Sequence, residues 1–350
     1  TSKPMASINT LLAALDNGPT KCQLMTIFRE NPHITTNQLL KRMIPIEERD
    51  IFNQLCKQLD AIKTQKVNVA LAVARWIFTT NDLEGAGTNL DETKRIVSGQ
   101  TSSASPDRQK DVSNMLNLLN ETHKPVGKPR DRAFDLVRLK QWHQTMLPHR
   151  GNAKPGKFRK SGAQSSAFGN FKSHHFLHHS VVPEATKLLC QVADSLLKFS
   201  DNNTFQMFLI AAFVQFHFVD IHPFADGNGR MCRFLSKHIL DAILPTPFPM
   251  FPNRKSYIEA LVNGRRQSCL TAPFPLAKLL IQTAIEYFSG LNPIKHVFAA
   301  TTREKLETQI EKSSLKSKRE RITQKFDTIP VAEGELEFEL EGYSICLVKV

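Results

Sequence analysis

The chain has 350 residues, of which 41% are hydrophobic and 23% charged, with a formal net charge of +13. That length and apolar share make it globular, with room for one large domain or two to three smaller ones. No apolar run approaches a membrane span, and Ile8 to Leu15 is too short for a secretory signal, so no membrane partner is expected. The cysteines at 22, 56, 190, 232, 269 and 346 include no C-x-x-C pair, which suits a reducing cytosol better than a disulfide framework.

In chain order, Leu24 to Met43 and then Arg49 to Leu59 predict three short helices in helix-turn-helix order, with Thr36 or Asn37 placed to cap the second. A plain helical subdomain packed on the core is favoured over a DNA reader. Residues 70–80 are rich in helix formers, and Gly85 and Gly87 would stop such a helix. Thr80 and Glu84 in its last turns stand four apart, which on periodicity alone is an ordinary solvated helix end. Helices are predicted over 108–119, 134–146, 184–199, 205–218, 233–244, 255–262 and 277–288, so the fold class is mainly α. Between them, residues 151–183 are rich in Gly, Ser and Pro and read as irregular. The histidines at 174, 175, 178 and 179 have no acidic or Cys partner nearby in sequence, so a polar loop is preferred to a zinc site. Residues 303–325 hold much of the positive excess (Lys316, Lys318, Arg319, Arg321 among them), and a solvated basic helix is the commoner meaning of such a run than nucleic acid. Glu335 to Glu341 alternates strictly and Tyr343 to Val350 follows Gly342, predicting a terminal β-hairpin.

The most informative stretch is His222-Pro-Phe-Ala-Asp-Gly-Asn-Gly-Arg-Met-Cys-Arg233, set between a nearly all-apolar segment and a second helical pattern. A helix start leaves amide donors unpaired and carries partial positive charge, so an anion is bound there by geometry and field together. Gly227 and Gly229 permit close approach of an anion, and Asn228 can donate to a phosphate oxygen. Arg230 and Arg233 are three apart on the following helix and offer two fork-shaped donors for a polyphosphate. Asp226 is an oxygen ligand of the kind Mg2+ prefers, and His222 could take a proton from an incoming hydroxyl. Together these are the parts of a phosphoryl or nucleotidyl transfer site.

That register resembles the Fic domain signature, His-x-Phe-x-Asp/Glu-Gly-Asn-Gly-Arg-x-x-Arg, and every specified position is met. The resemblance implies a protein adenylyltransferase moving AMP from ATP to a Ser, Thr or Tyr hydroxyl of a target protein. It implies His222 as general base, Asp226 as the Mg2+ ligand, Gly227, Asn228 and Gly229 as the phosphate cradle, Arg230 on the phosphates and Arg233 on the γ-phosphate. Thr80 to Gly85 resembles the family's inhibitory helix, so Glu84 is expected to pair with Arg233 and to serve removal of AMP as well. Pro155-Gly-Lys-Phe-Arg159 resembles the element leading into the target-binding flap, and Tyr257-Ile-Glu-Ala-Leu261 a helix walling the nucleotide pocket.

The expected architecture is a Fic-type helical bundle with a small β-hairpin flap, an added N-terminal helical segment and a C-terminal β-hairpin. Its parts are residues 1–69, a Fic domain over 70–290 with inhibitory helix 70–85 and flap 158–182, and a C-terminal extension over 291–350. The rival readings are transfer of UMP, phosphocholine or phosphate on the same fold, and a nucleic-acid-binding regulator, duplex DNA being the less favoured partner. Self-modification and a homodimer stay open.

Overall fold

The computed structural model describes residues 22–64, 68–122, 127–148, 154–251, 253–290, 296–300, 302–311, 319–329, 334–340 and 343–349. Ile8 to Leu15, Lys316 and Lys318 lie outside them. The chain divides into two compact units, the first ending at Ile285 and the second beginning at Glu286.

The first unit begins with α1 (Gln23–Glu30), α2 (Thr36–Arg42) and α3 (Arg49–Ile62). The cap of α2 is Thr35, one residue earlier than expected. Its side chain accepts from the Gln38 amide while the Gln38 side chain accepts from the Thr35 amide, a reciprocal box that Thr36 could not form. These helices do not stand apart from the body: α1 and α2 pack on α8 (Val182–Phe199), and α3 packs on α9 (Thr204–Ile221). Phe52 of α3 meets the ring of Phe205 edge-on at 5.4 Å and that of Phe274 at 5.5 Å.

Helix α9 is the centre of the unit. It is apolar on all sides, as a helix surrounded by others must be, and Phe208, Phe213, Phe216 and Phe218 are fully buried. Each such ring contributes about 1.5–3 kcal/mol over leaving it in water. Its 18 residues and mean hydropathy of 1.5 do reach the length and apolarity of a membrane span, contrary to the reading of the sequence, but 83% of it is buried among the other helices. It is the core helix that the flanking elements cover.

The remaining helices are α4 (Val69–Asp82), α5 (Leu90–Val97), α6 (Pro106–Thr122), α7 (Leu136–Met146), α10 (Asn228–Leu240), α11 (Arg254–Arg265) and α12 (Phe274–Gly290). Of the boundaries that differ from expectation, two matter to the site. Helix α4 stops at Asp82, because Gly85 adopts φ +66° and the Gly85 and Ala86 amides turn back to Asp82 and Asn81. Helix α10 starts at Asn228, so Gly229 belongs to its first turn.

The β-hairpin expected over 158–182 is not found as such. The segment folds back on itself through single antiparallel bridges, Gln164 with His175 and Phe168 with Phe171, and contains no regular strand. A polar, glycine-rich run has no alternating apolar face to fix a ladder.

In the second unit, β2 (Gly334–Leu340) runs antiparallel to β3 (Tyr343–Lys349), and β1 (His296–Ala300) joins the other edge of β3 in parallel. The basic run forms α13 (Arg303–Glu311) and α14 (Arg319–Asp327), each with a buried face that includes Leu306, Ile310, Ile322 and Phe326. It is therefore not a fully solvated basic helix. Strand β1 was not foreseen, since five residues carry too little periodicity to tell strand from helix.

Candidate active site

The site is built where α9 ends and α10 begins. His222 caps α9 in the left-handed conformation, φ +50° and ψ +61°, which costs a non-glycine residue about 1–2 kcal/mol. Three contacts hold it there. Its amide donates to the Phe218 carbonyl at 2.9 Å, its carbonyl accepts from Nε of Arg159 at 2.6 Å, and its ring stacks on Phe176 at 3.8 Å and 10°. Burial pushes the imidazole down to about 4, partly offset by the Val219 carbonyl, so His222 is neutral at pH 7 and able to accept a proton.

Arg159 is buried without a carboxylate. Its guanidinium donates instead to the carbonyls of Ile221, His222, Ser161 and Leu177, and its amide donates to Pro223. One side chain therefore satisfies the open carbonyl end of α9 and ties the segment around residues 159–177 to the loop that follows α9. The sequence placed Arg159 at the entrance to the flap but gave no hint of this clamp.

The loop from Phe224 to Asn228 is closed from within. Asn228 accepts from the Phe224 amide at 2.9 Å and donates to the Phe224 carbonyl at 2.8 Å, and it is buried. Its side chain shapes the loop with the carbonyl oxygen and one of its two N–H donors. His143 of α7 holds the loop from the other side. It stacks on Phe224 at 3.7 Å, its Nδ1 accepts from the Gly156 amide, and its Nε2 lies 2.9 Å from the Asp226 carbonyl. Accepting at Nδ1 leaves Nε2–H as the donor, and burial keeps the ring neutral by lowering its pKa. Nothing in the sequence around Trp142-His143 signalled this. Gly227 sits at φ +77°, where a β-carbon would come within 2.4 Å of Leu147 Cδ1, so the turn requires glycine.

Arg230 has a structural partner as well. Its guanidinium pairs with Asp111 of α6 at 2.9 Å, and both side chains are buried. Breaking a buried pair from one side leaves an uncompensated charge and costs about 3–5 kcal/mol. Asp111→Ala should accordingly lower the melting temperature sharply, and the double variant with Arg230→Met should recover much of the loss. A single variant as stable as the parent in calorimetry would contradict the structural role.

Arg233 lies almost fully buried on α10, with Tyr257 beneath it at 5.8 Å. Its Nε donates to Thr80 Oγ1 at 2.7 Å, and its Nη2 donates to the Thr80 carbonyl at 2.8 Å and to Glu84 Oε1 at 2.7 Å. Burial works against the ionised Glu84 carboxyl, yet the Arg233 guanidinium holds its pKa below the ordinary value. A β-carbon on Gly229 would stand 1.9 Å from Glu84 Oε1. The carboxylate of Glu84 is thus seated against the first turn of α10, where the helix field favours an anion.

Glu84, His222, Gly229 and Tyr257 line one cavity of about 240 Å³, with the folded-back segment 164–176 along its rim. Asp226 is exposed beside it. One of its carboxylate oxygens accepts from the Gly227 amide at 2.6 Å, and the other has no partner among the described residues. Of the residues expected in the site, His222, Gly229, Arg233 and Glu84 come together, Gly227 and Asn228 shape the loop, and Arg230 pairs with Asp111. Among the described residues no group of three His, Cys, Asp or Glu side chains is arranged to hold a metal, the histidines at 174–179 included.

Residues 133–240 match the Fic/DOC family model, so the chain contains a Fic domain. It is 27% identical over 189 residues to the protein adenylyltransferase Fic of Nematostella vectensis, covering 53% of this chain and 42% of that one. With the protein of the same name from Aedes aegypti the identity is 26% over 199 residues, covering 54% and 38%. A Fido domain-containing protein of Dictyostelium discoideum is 42% identical over 55 residues, covering 15% and 38%. The chain therefore spans less than half the length of the curated relatives it matches. Among solved structures, a Fic domain containing signaling protein from Bacteroides thetaiotaomicron superposes with a TM-score of 0.56 at 16% identity, covering 68% of this chain and 94% of that one. Fic-1 from C. elegans gives 0.52 at 18%, covering 69% and 70%. At such identities the superpositions establish the fold.

Proposed function

We propose that the protein is a protein adenylyltransferase whose nucleotide site is held shut by its own Glu84. The observation that carries this reading is the Glu84 carboxylate bonded to Arg233 and lying on Gly229, in the same cavity as a neutral His222. In the reaction, a target hydroxyl oxygen attacks the α-phosphorus of ATP and its proton passes to His222. The new bond joins that oxygen to phosphorus, the bond from the α-phosphorus to the bridging oxygen breaks, and pyrophosphate leaves. The α10 amides and, once released, Arg233 would bear the growing charge.

The donor set fits Mg2+ carried in with the nucleotide. Magnesium ordinarily takes one or two carboxylates and completes its shell with phosphate oxygens, and Asp226 keeps one carboxylate oxygen open. When bound, the ion supplies positive charge against the triphosphate. Glu84 is also suited to orient a water for removal of AMP. The names of the relatives from Nematostella vectensis and Aedes aegypti agree with AMP as the transferred group, and the buried free thiols of Cys22, Cys56, Cys190 and Cys232 agree with a reducing cytosol.

The test is mass spectrometry of the Glu84→Gly chain and of a cell lysate after incubation with ATP, UTP and CDP-choline in separate reactions. An AMP adduct on a Ser, Thr or Tyr side chain, formed with ATP alone, is the expected product. A UMP, phosphocholine or bare phosphate adduct would replace the assignment.

A further inference from the structure

The motif supplies two arginines for a triphosphate: Arg233 is bonded to Glu84, which lines the cavity, and Arg230 gives one Nη to Asp111. A triphosphate carries more negative charge than one guanidinium balances. The cavity wall contains two arginines outside the motif: Arg265, which pairs with Asp220, and Arg254, the first residue of α11. We infer that Arg254 is a phosphate-binding residue of this site, a cation that α11 adds to the arginines of the motif; the inference rests on the nucleotidyl-transfer reading above.

Three observations support it. Arg254 lines the same cavity as Glu84, Gly229 and His222. It is exposed, and among the described residues no carboxylate pairs with it; its one contact is with the ring of Phe168 on the flap segment, whose centroid lies 5.1 Å from Cζ. An arginine on an aromatic face keeps all its donors free for an anion. The resident anion of the cavity, the Glu84 carboxylate, is stabilised by Arg233 first, then by Arg230 and Arg254, so Arg254 acts on the place where that negative charge sits.

A cation at this position is not there for the helix. Arg254 and Lys255 open α11 at its positive end, and its first turn has no acidic residue, so the pair opposes the helix dipole.

The experiment is calorimetric titration of the full chain as Glu84→Gly, alone and combined with Arg254→Ala, Arg254→Lys or Phe168→Leu, with ATP, ADP, AMP and adenosine. Arg254→Ala should weaken ATP and ADP about 10-fold or more, the worth of a charge-assisted contact, while leaving adenosine unchanged. Arg254→Lys should recover part of the loss, and Phe168→Leu should leave the ratio of ATP to AMP affinity as it was. Unchanged ATP affinity in Arg254→Ala against a binding parent would overturn the inference alone. So would a Phe168→Leu variant that loses ATP as Arg254→Ala does, since Arg254 would then act only through the flap. A Glu84→Gly parent that binds none of the four would overturn the nucleotide reading and this inference with it.

Discussion

Replacing Glu84 by Gly will raise AMP transfer by about 10- to 100-fold, measured as label moved from α-32P ATP to the chain itself. The range follows from one hydrogen bond to a charged group, which contributes about 1.5–3 kcal/mol, with a factor of 10 for each 1.4 kcal/mol; the partial exposure of the carboxylate holds the figure to the lower part of that range. Two obstacles leave together. Arg233 Nη2 loses the acceptor that now holds it at 2.7 Å, and the space over Gly229 is vacated. The rest of the arginine's position survives, because its bonds to Thr80 are independent of Glu84. Glu84→Gln keeps the bulk while removing the charge, so it should lie between parent and Gly. Equal label transfer by the parent and the Gly variant would remove the inhibitory role while leaving the fold untouched.

The sequence disclosed the core of this site because its chemistry is local. His222, the glycines and Arg233 are spaced by a single loop and the first turns of a helix, and their order alone predicts a helix start facing an anion. Glu84 was readable only by resemblance, since its partner is 149 residues away and no periodicity connects them. What could not be read is how much of the motif is spent on itself. Asn228 has the same chemistry whether it faces a phosphate or the Phe224 backbone, and only the loop's closure decides. The Arg230 pair was hidden for a related reason: its own helix was known, but Asp111, 119 residues earlier, was an unremarkable acid in a polar stretch of sequence. Arg159 and His143 act through main-chain carbonyls and amides, which leave no pattern in side-chain order. The missing regular strands of the flap are a case where resemblance predicted more order than the local residues support.

Replacing His222 by Ala, in the Glu84→Gly chain, will cut AMP transfer by about 10²- to 10⁴-fold, the usual contribution of a positioned general base. ATP affinity should change little, because the donors offered to the phosphates come from the start of α10 and from arginines on α10 and α11, not from the imidazole. The pH dependence gives a second reading of the same residue. The profile of kcat/KM reports the free enzyme, in which burial brings the imidazole from 6.5 to about 4. A base with a depressed pKa is unprotonated, and therefore competent, at every pH well above that value, and it loses competence as pH falls through it. The acid limb attributable to His222 should thus lie below about pH 5, with a flat rate between there and neutrality. A limb centred near 6.5 would mean the ring is solvated in the working enzyme and not stacked on Phe176 at 3.8 Å. Undiminished transfer by the Ala variant would be decisive in the other direction: the hydroxyl would then be losing its proton to some other group, and the left-handed strain stored at residue 222 would have no catalytic purpose.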